Sequence, residues 1–378
     1  MFLGPRITDL TILLPLAPTI ADQSLLISLS AMMQDITHFS VRRKARRAKI
    51  SEEDPARTNH ILKDVISSWN RLAILEIPDT LLTTPSLMHI AQLPGLRAIY
   101  ARLSPDIKFS SLKMPVIFPV LRRLGLTCNS VLTVQALLMI SPLWVLQYLK
   151  VKVSSPGDDA QTIKSFFTFL QTQLSNPDLR SMIVCHSEGS GAYSSRPLNL
   201  STIAPLFSFP NIGLLRISPH TFDMNNDDLR TIAQNWPDLI SLHLGGYGWG
   251  LPSKITLSGL VPLLNTCSKL LYLSLAIDAT IVDTSLDEIT FTRSNIHLKA
   301  LCLQDSRLED PQMAAAFLSG IMTNATSFSA WDVSGSRGLE HVSQAEAMLF
   351  EGLWKETELA LKLFTQVRKQ ERLLAKIS

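Results

Sequence analysis

The chain has 378 residues, of which 46% are hydrophobic and 18% are charged, and this composition excludes a disordered protein. A chain of this length normally splits into several globules, unless it is a solenoid whose core grows by stacking repeated units. The net charge of +3 is well short of the balance expected of a dedicated nucleic-acid-binding protein, so nucleic acid is not the expected partner.

The N-terminal segment contains an apolar stretch, Leu10 to Met33, that has to be distinguished from a signal peptide or a membrane span. Asp9, Pro15, Pro18 and Asp22 interrupt it, so neither is predicted. The four cysteines include no C-x-x-C pair and are too few to cross-link a chain of this length. We therefore expect reduced thiols and a cytoplasmic or nuclear location, with no membrane as a partner.

Residues 1–71 are predicted to form a region of degenerate N-terminal repeats with a basic loop. The apolar residues of these repeats are Ile7, Leu10 and Ile12, followed by Ile36, Phe39 and Val41. A basic run from Arg42 to Lys49 comes next, and Glu52, Glu53 and Asp54 follow it closely. Such a run is typical of a nuclear-import signal or a phosphate-binding patch, but the nearby acidic residues favour a solvated loop.

Residues 72–340 carry the strongest pattern in the chain, L-x-x-L-x-L, in which other apolar residues replace some of the leucines. The pattern recurs ten times with a mean spacing of about 28 residues, which is typical of leucine-rich repeats. The copies are Leu72, Leu75, Ile77; Leu96, Ile99, Ala101; Leu121, Leu124, Leu126; Leu146, Leu149, Val151; Leu179, Met182, Val184; Ile212, Leu215, Ile217; Leu239, Leu242, Leu244; Leu270, Leu273, Leu275; Leu298, Leu301, Leu303; and Phe328, Trp331, Val333.

Helical periodicity fills several intervals between the copies, so each repeat is predicted to be a strand, a loop and a helix. The predicted helices are Thr84–Gln92, Asp158–Leu174, Asn226–Gln234, Thr256–Asn265 and Pro311–Met322. The leucines are expected to point into a core between a parallel sheet and outer helices, while the residues that alternate with them face the concave side. The predicted fold class is therefore α/β, a leucine-rich-repeat solenoid of the horseshoe type.

Residues 341–378 are predicted to form a C-terminal amphipathic capping helix. Ser343-Gln344-Ala345-Glu346 has the pattern of a capping box, and apolar residues follow it at helical spacing. These residues are Met348, Leu349, Trp354, Leu361, Phe364 and Val367. A terminal repeat needs such a cap, and the heptads are too few and too irregular to favour a coiled-coil partner helix instead.

The concave face supplies the candidate binding residues, at the third, fifth and seventh residues of each copy. They are Tyr100, Arg102, Arg123, Tyr148, Lys150, Lys152, Arg216, His243 and Tyr272. Acidic residues on the same face are few, chiefly Glu76 and Asp332, so this basic and aromatic stripe is expected to attract an acidic or phosphorylated protein segment. The alternative is that these side chains form solvated ladders between adjacent strands.

The run Gly245–Gly250 follows a strand, as a dinucleotide-binding turn would. Its glycines have the wrong spacing for that turn, and Pro252 stands where a helix should begin. We interpret the run as a loop that exposes Tyr247 and Trp249, since aromatic residues of this kind are frequent interface anchors.

Cys185 and the adjoining His186-Ser187-Glu188 contain residue types found in hydrolases. The segment up to Arg196 is rich in Ser and Gly, and it lacks the rigid support that a catalytic group needs. Neither the eight histidines nor the four cysteines have the spacing of zinc ligands. No enzyme activity, cofactor or metal is predicted.

Three runs of the sequence resemble the F-box leucine-rich-repeat proteins that are expanded in mushroom-forming fungi. The runs are Leu242–Gly250, Ile255–Leu264 and Leu273–Ala279, and the segment Val367–Arg372 is similar too. The resemblance covers nearly all of the chain at the level of the repeat domain. It implies a protein-binding domain that recognises substrates for a cullin-type (SCF) ubiquitin ligase.

Members of that family usually begin with an F-box, which binds the Skp adaptor of the ligase. The chain starts at Met1-Phe2-Leu3-Gly4-Pro5-Arg6, which already resembles repeat sequence, and no F-box opening of the Leu-Pro-x-Glu type is found. A Skp adaptor is therefore an expected partner only if an F-box lies upstream of Met1. The alternative function is a repeat-only protein-interaction scaffold with no ubiquitin role.

Overall fold

The computed structural model describes residues 7–15, 19–43, 62, 65–109, 118–141, 144–154, 158–174, 178–186, 196–218, 221–246, 248–281, 297–322, 326–331 and 342–374. The chain forms two compact units, Met1–Ser154 with Phe169–Leu179 and Ser155–Thr168 with Arg180–Ser378. The division between the units falls inside the stretch 72–340 that carries the ten copies of the motif. Within the described residues, no helix is long and apolar enough to cross a membrane.

The described part of the first unit contains six strands, each paired in parallel with the next along the chain. They are β1 (Asp9–Leu14), β2 (His38–Arg43), β3 (Ile74–Leu82), β4 (Ala98–Leu103), β5 (Arg123–Cys128) and β6 (Tyr148–Val153). Helices Ile20–Met32, Thr84–Ala91 and Val131–Leu138 connect them, because parallel neighbours need a crossover. The helix Ala160–Gln173 contains residues of both units.

The second unit repeats this arrangement, with a ladder of parallel strands in chain order. The ladder contains β7 (Ser181–His186), β8 (Leu214–Ser218), β9 (Ser241–Leu244), β10 (Tyr272–Ser274), β12 (Ala300–Cys302) and β14 (Ser327–Ser329), while β11 (Asp278–Ala279) and β13 (Arg307–Leu308) form a separate pair. The helices are Leu200–Ile203, Asn226–Asn235, Leu260–Thr266, Pro311–Ile321 and Gln344–Leu374, with a 3-10 turn at Ala204–Ser208.

The leucines of the motif occupy three core positions, and strand register keeps the same core position aligned from one repeat to the next. In the first unit the second core position is the ladder Leu10, Phe39, Leu75, Ile99, Leu124 and Leu149. In the second unit it is Met182, Leu215, Leu242, Leu273, Leu301 and Phe328. Nearly all of these side chains are buried, each contributing about 1.5–3 kcal/mol. The predicted leucine-rich-repeat fold is confirmed.

The predicted register of the tenth copy is wrong by three residues. Phe328 was expected at the first core position, but it pairs with Leu301 and therefore occupies the second. Trp331 is buried outside the strand, with a positive φ of 46°, and Val333 lies outside the described residues. Both alignments satisfy the apolar spacing of the motif, so only the hydrogen-bonded ladder distinguishes them.

The residue three positions before the first core leucine links successive repeats. The indole Nε1 of Trp69 donates to the carbonyl oxygen of Met33 at 2.6 Å, and that of Trp236 donates to Phe209 at 3.0 Å. Cys267 holds the same position one repeat later, and its thiol donates to the carbonyl of Trp236 at 3.3 Å. Burial raises the pKa of the Cys267 thiol to about 12, so this cysteine serves packing.

The helix Gln344–Leu374 begins with half of the predicted capping box. The Glu346 backbone N–H donates to Ser343 Oγ at 3.2 Å, while the Glu346 carboxylate accepts a hydrogen bond from Arg307 at 3.3 Å. Further along the helix, the buried Trp354 donates from Nε1 to the carbonyl oxygen of Ser306 at 2.8 Å. One face of this helix is thereby bound to the last repeats.

Candidate functional site

The open face is the side of each sheet opposite the core leucines, and it carries the third, fifth and seventh residues of each motif. Six of the predicted binding residues lie together on this face of the first unit, on the adjacent strands β4, β5 and β6. We call them the basic–aromatic patch: Tyr100, Arg102, Arg123, Tyr148, Lys150 and Lys152. Every member is partly or fully exposed to solvent.

Strand register arranges the patch in rows across three strands. Arg123 lies beside Tyr148, and in the next row Gly125 lies between Tyr100 and Lys150. The third row places Thr127 between Arg102 and Lys152. Neighbouring strands are about 4.8 Å apart and alternate residues about 6.7 Å apart, so the patch covers about 10 Å by 13 Å. An area of this size can accommodate a short extended peptide segment.

Gly125 allows the two tyrosines of the patch to meet. The rings of Tyr100 and Tyr148 are two strands apart, yet they make an edge-to-face contact with centroids 5.9 Å apart. A Cβ atom at position 125 would clash with the ring of Tyr100, so a larger residue would displace that ring. Gly125 therefore leaves a shallow depression in the patch, between aromatic and basic side chains. Gly125 was not among the binding residues predicted from the sequence, although an isolated glycine inside a strand often marks such a close approach.

The carboxylate closest in register to the patch is partly neutralised. Glu76 lies beside Tyr100 on β3, accepts a hydrogen bond from Ser40 at 3.3 Å and forms an ion pair with Arg42 at 3.6 Å. Burial raises the pKa of the Tyr100 hydroxyl, and the Glu76 charge adds to this effect while Arg123 opposes it. Tyr100 thus remains an uncharged donor at neutral pH.

The positive charges of the patch have no acidic partners within the described part of the chain. None of Arg102, Arg123, Lys150 and Lys152 lies within ion-pairing distance of a described carboxylate. None of the nine open-face positions of β4–β6 is acidic. These side chains can therefore bind an external acidic group without first breaking an internal ion pair.

In the second unit, Arg216 and His243 are neighbours on β8 and β9, while Tyr272 is exposed on β10. Burial, together with the nearby charge of Arg216, lowers the pKa of His243 to about 4. His243 is therefore neutral at physiological pH and adds no positive charge to this face.

The prediction that Trp249 is exposed is wrong. Its side chain is fully buried, packs against Phe222 with ring centroids 5.3 Å apart, and donates from Nε1 to the carbonyl of Leu244 at 2.8 Å. Gly245 turns the chain at a φ of +91°, and a Cβ there would crowd Trp249. The turn directs the indole inward. The second predicted anchor, Tyr247, lies outside the described residues.

The backbone of the glycine-rich loop is used internally. The N–H groups of Trp249 and Gly250 both donate to the Asp305 carboxylate, each at 2.8 Å. A phosphate bound there would have to displace this carboxylate.

The residues considered for catalysis are only partly described. Cys185 and His186 end β7, whereas Ser187 and Glu188 lie outside the described residues. Among the described residues, no three histidine, cysteine, aspartate or glutamate side chains are grouped as metal ligands.

Comparison with known proteins finds structural likeness only. No protein-family model and no curated protein matches the chain. A chain from the crystal structure of the Rad7 and Elc1 complex in yeast is 14% identical, covers 81% of each chain and has a TM-score of 0.42. A leucine-rich-repeat protein of Leptospira interrogans is 11% identical, covers 94% of this chain and 93% of its own, and has a TM-score of 0.34. Because both TM-scores are low, the fold assignment rests on the repeat register of the chain itself, which is that of a leucine-rich-repeat solenoid.

Proposed function

We propose that the chain is a protein-binding scaffold whose basic–aromatic patch binds an acidic segment of a partner protein. The observation that carries this proposal is the set of four cations on three adjacent strands, with no acidic residue among the nine open-face positions. Arginine and lysine side chains bind carboxylates and phosphates through charge-assisted hydrogen bonds.

The shape of the patch favours an extended peptide as the ligand. The small residues Gly125 and Thr127 on β5 lie between the larger side chains of β4 and β6, so the surface forms a shallow groove along β5. The tyrosine pair offers apolar surface together with hydroxyl groups, a combination that is frequent in protein interfaces. Lys150 and Lys152 would then contact successive acidic side chains along the segment.

A phosphorylated serine or threonine in the segment would strengthen the interaction. A phosphate carries nearly two negative charges at neutral pH and offers three acceptor oxygens. Arg102 and Lys152 lie in one row with the small Thr127 between them, about 10 Å apart at the backbone. Their long side chains can converge on one phosphate.

The test uses fluorescent peptides as probes: one rich in Glu and Asp, the same peptide with one phosphoserine, and a neutral peptide in which Gln and Asn replace the acids. We expect the acidic peptides to bind and the neutral one not to bind, with affinity falling as salt rises. Lys150→Glu should weaken binding at least about tenfold, because it also repels the ligand. Equal binding of the neutral peptide would contradict the proposal.

Arg216→Glu is the matched control. Arg216 occupies the same open-face position on β8 that Lys150 occupies on β6, and both substitutions change the net charge equally. If both variants bind the acidic peptides equally weakly, the attraction comes from net charge and the patch is not the site. Retained binding by Arg216→Glu would support the patch.

We further propose, from the sequence resemblance to F-box leucine-rich-repeat proteins, that the bound partner is a substrate of a cullin-type ubiquitin ligase. The test is co-precipitation of a Skp adaptor with the product of the natural transcript mapped at its 5′ end. Binding through residues upstream of Met1 would support the ligase role. Failure to bind would leave a scaffold with no ubiquitin role, while the peptide experiment would still stand.

A further inference from the structure

The C-terminal helix Gln344–Leu374 has two apolar faces, of which one is covered in the described structure. The covered face includes Trp354 and Leu361, and Arg368 on this side donates to Ser319 Oγ at 2.7 Å. Large apolar side chains remain exposed elsewhere on the same helix. They are Met348, Leu349, Leu359, Leu363, Val367, Leu373 and Leu374, each at least half exposed.

Most of these exposed residues form a single stripe. Because successive residues of a helix are rotated by 100°, eight residues between Leu349 and Leu374 lie within about 40° of the direction of Leu363. We call this set the exposed stripe: Leu349, Gly352, Glu356, Leu359, Leu363, Val367, Gln370 and Leu374. It extends about 38 Å along the helix. A capping role requires one buried face and leaves this second one unexplained.

The exposed stripe is nearly symmetric about Leu363 when the helix is reversed. Leu359 and Val367 are both aliphatic and lie four residues to either side. Glu356 and Gln370 are both polar and lie seven residues before and after Leu363. Gly352 and Leu374 lie eleven residues before and after it, and they pair a small residue with a large one. A helix of opposite direction with the same sequence would therefore match the part of the stripe from Gly352 to Leu374.

We propose that the exposed stripe is a homodimer interface in which a second copy of this chain packs antiparallel across a two-fold axis at Leu363. Leu363 then meets its own copy, Leu359 meets Val367, and Leu374 fits over Gly352. The Glu356 carboxylate accepts a hydrogen bond from the Gln370 amide of the other copy. Such self-complementarity is what a two-fold interface requires.

The alternative parallel arrangement is disfavoured by the same residues. It would place Glu356 against Glu356, a like-charge pair within a largely apolar seam, and Gly352 against Gly352, which leaves a gap. An unrelated partner helix would have no reason to match the reversed pattern of this one.

The first test is sedimentation equilibrium of the full chain at about 1–100 μM. We expect a dimer, and we expect Leu363→Glu to raise its dissociation constant at least about thirtyfold, since two buried carboxylates would face each other. Lys369→Gln makes the same change in net charge about a third of a turn away from Leu363 and should dimerise normally. A wild-type chain that stays monomeric, or a Leu363→Glu variant that dimerises as well as wild type, would overturn the proposal.

The second test distinguishes the direction of packing by cysteine cross-linking. Cys185 and Cys302, the two partly exposed thiols of the chain, are first replaced by serine. Leu363→Cys should then form a disulfide dimer, while Leu359→Cys alone should not. A mixture of Leu359→Cys and Val367→Cys chains should cross-link across the two-fold axis. Efficient cross-linking of Leu359→Cys to itself would refute the antiparallel arrangement.

Discussion

The open faces of the two units carry different chemistry on the same repeat scaffold. On β4–β6 of the first unit they present the basic–aromatic patch. The open face of β9, β10, β12 and β14 in the second unit carries mostly small or neutral side chains. They are Ser241, His243, Tyr272, Ser274, Ala300, Cys302, Ser327 and Ser329. The core positions are apolar in both, because every repeat must bury the same ladder. The open-face positions are free of that constraint and can be specialised for binding.

Polar groups on the second face also bind one another. The buried Gln304 amide donates to the carbonyl of Leu244 and to Ser274 Oγ, each at 2.9 Å. In the first unit the cations of the patch have no acidic partner among the described residues, although Arg123 is hydrogen-bonded to Tyr100. The second face thus uses part of its polar groups internally, while the cations of the first face remain available for an external acidic ligand.

The largest expected effect is a loss of stability, and it tests the apolar core that the two units have in common. Leu149→Ala and Leu242→Ala each remove a fully buried side chain from the second core position. Each should lower the free energy of unfolding by about 3 kcal/mol, from lost apolar burial and the resulting cavity. Urea unfolding measures this loss. A cost below about 1 kcal/mol in one unit alone would contradict the equivalence of the two cores.

An intermediate effect concerns the neutral histidine of the second unit. His243 has a pKa of about 4 in the folded chain against 6.5 in the unfolded one. The unfolded chain therefore binds this proton first as the pH falls, so stability is full above pH 6.5 and is lost on the way down to pH 4. His243→Gln should remove on the order of 1–2 kcal/mol of this pH dependence.

Urea unfolding at pH 7.0, 5.5 and 4.5 provides the measurement. His297→Gln is the matched control for the removal of a histidine from another part of the same unit. Identical pH profiles for wild type and His243→Gln would show that the histidine is not held neutral by its surroundings.

The smallest expected effect is a change in peptide affinity, and it tests the tyrosine pair on the open face of the first unit. Gly125→Ala places a methyl group where the ring of Tyr100 lies. The ring should rotate away from Tyr148, and affinity for the acidic peptides should fall about threefold, with a change in stability below about 1 kcal/mol. Gly213→Ala is the control, because a Cβ there meets only ordinary contacts in the second unit. Unchanged affinity in Gly125→Ala would remove the tyrosine pair from the proposed site.

Much of the fold was predictable because its signals are local. The core spacing predicted the strands, and the predicted helix Asn226–Gln234 differs by one residue from the observed Asn226–Asn235. Capping residues explain this accuracy, since Asn225 accepts hydrogen bonds from two backbone N–H groups of the first turn. The helix Thr256–Asn265 was predicted too early, because residues 257–259 form a turn before Leu260. Periodicity does not distinguish a turn from the first turn of a helix.

The sequence by itself determined the repeat, its core ladder and the cationic positions of the open face, since a strand alternates its side chains whatever surrounds it. Only the tertiary structure decided the burial of Trp249, the contact of Tyr100 with Tyr148 over Gly125, and the register of Phe328. Each of these depends on a neighbour from another repeat. Contacts between repeats are set by packing in three dimensions, which the spacing within one repeat does not encode.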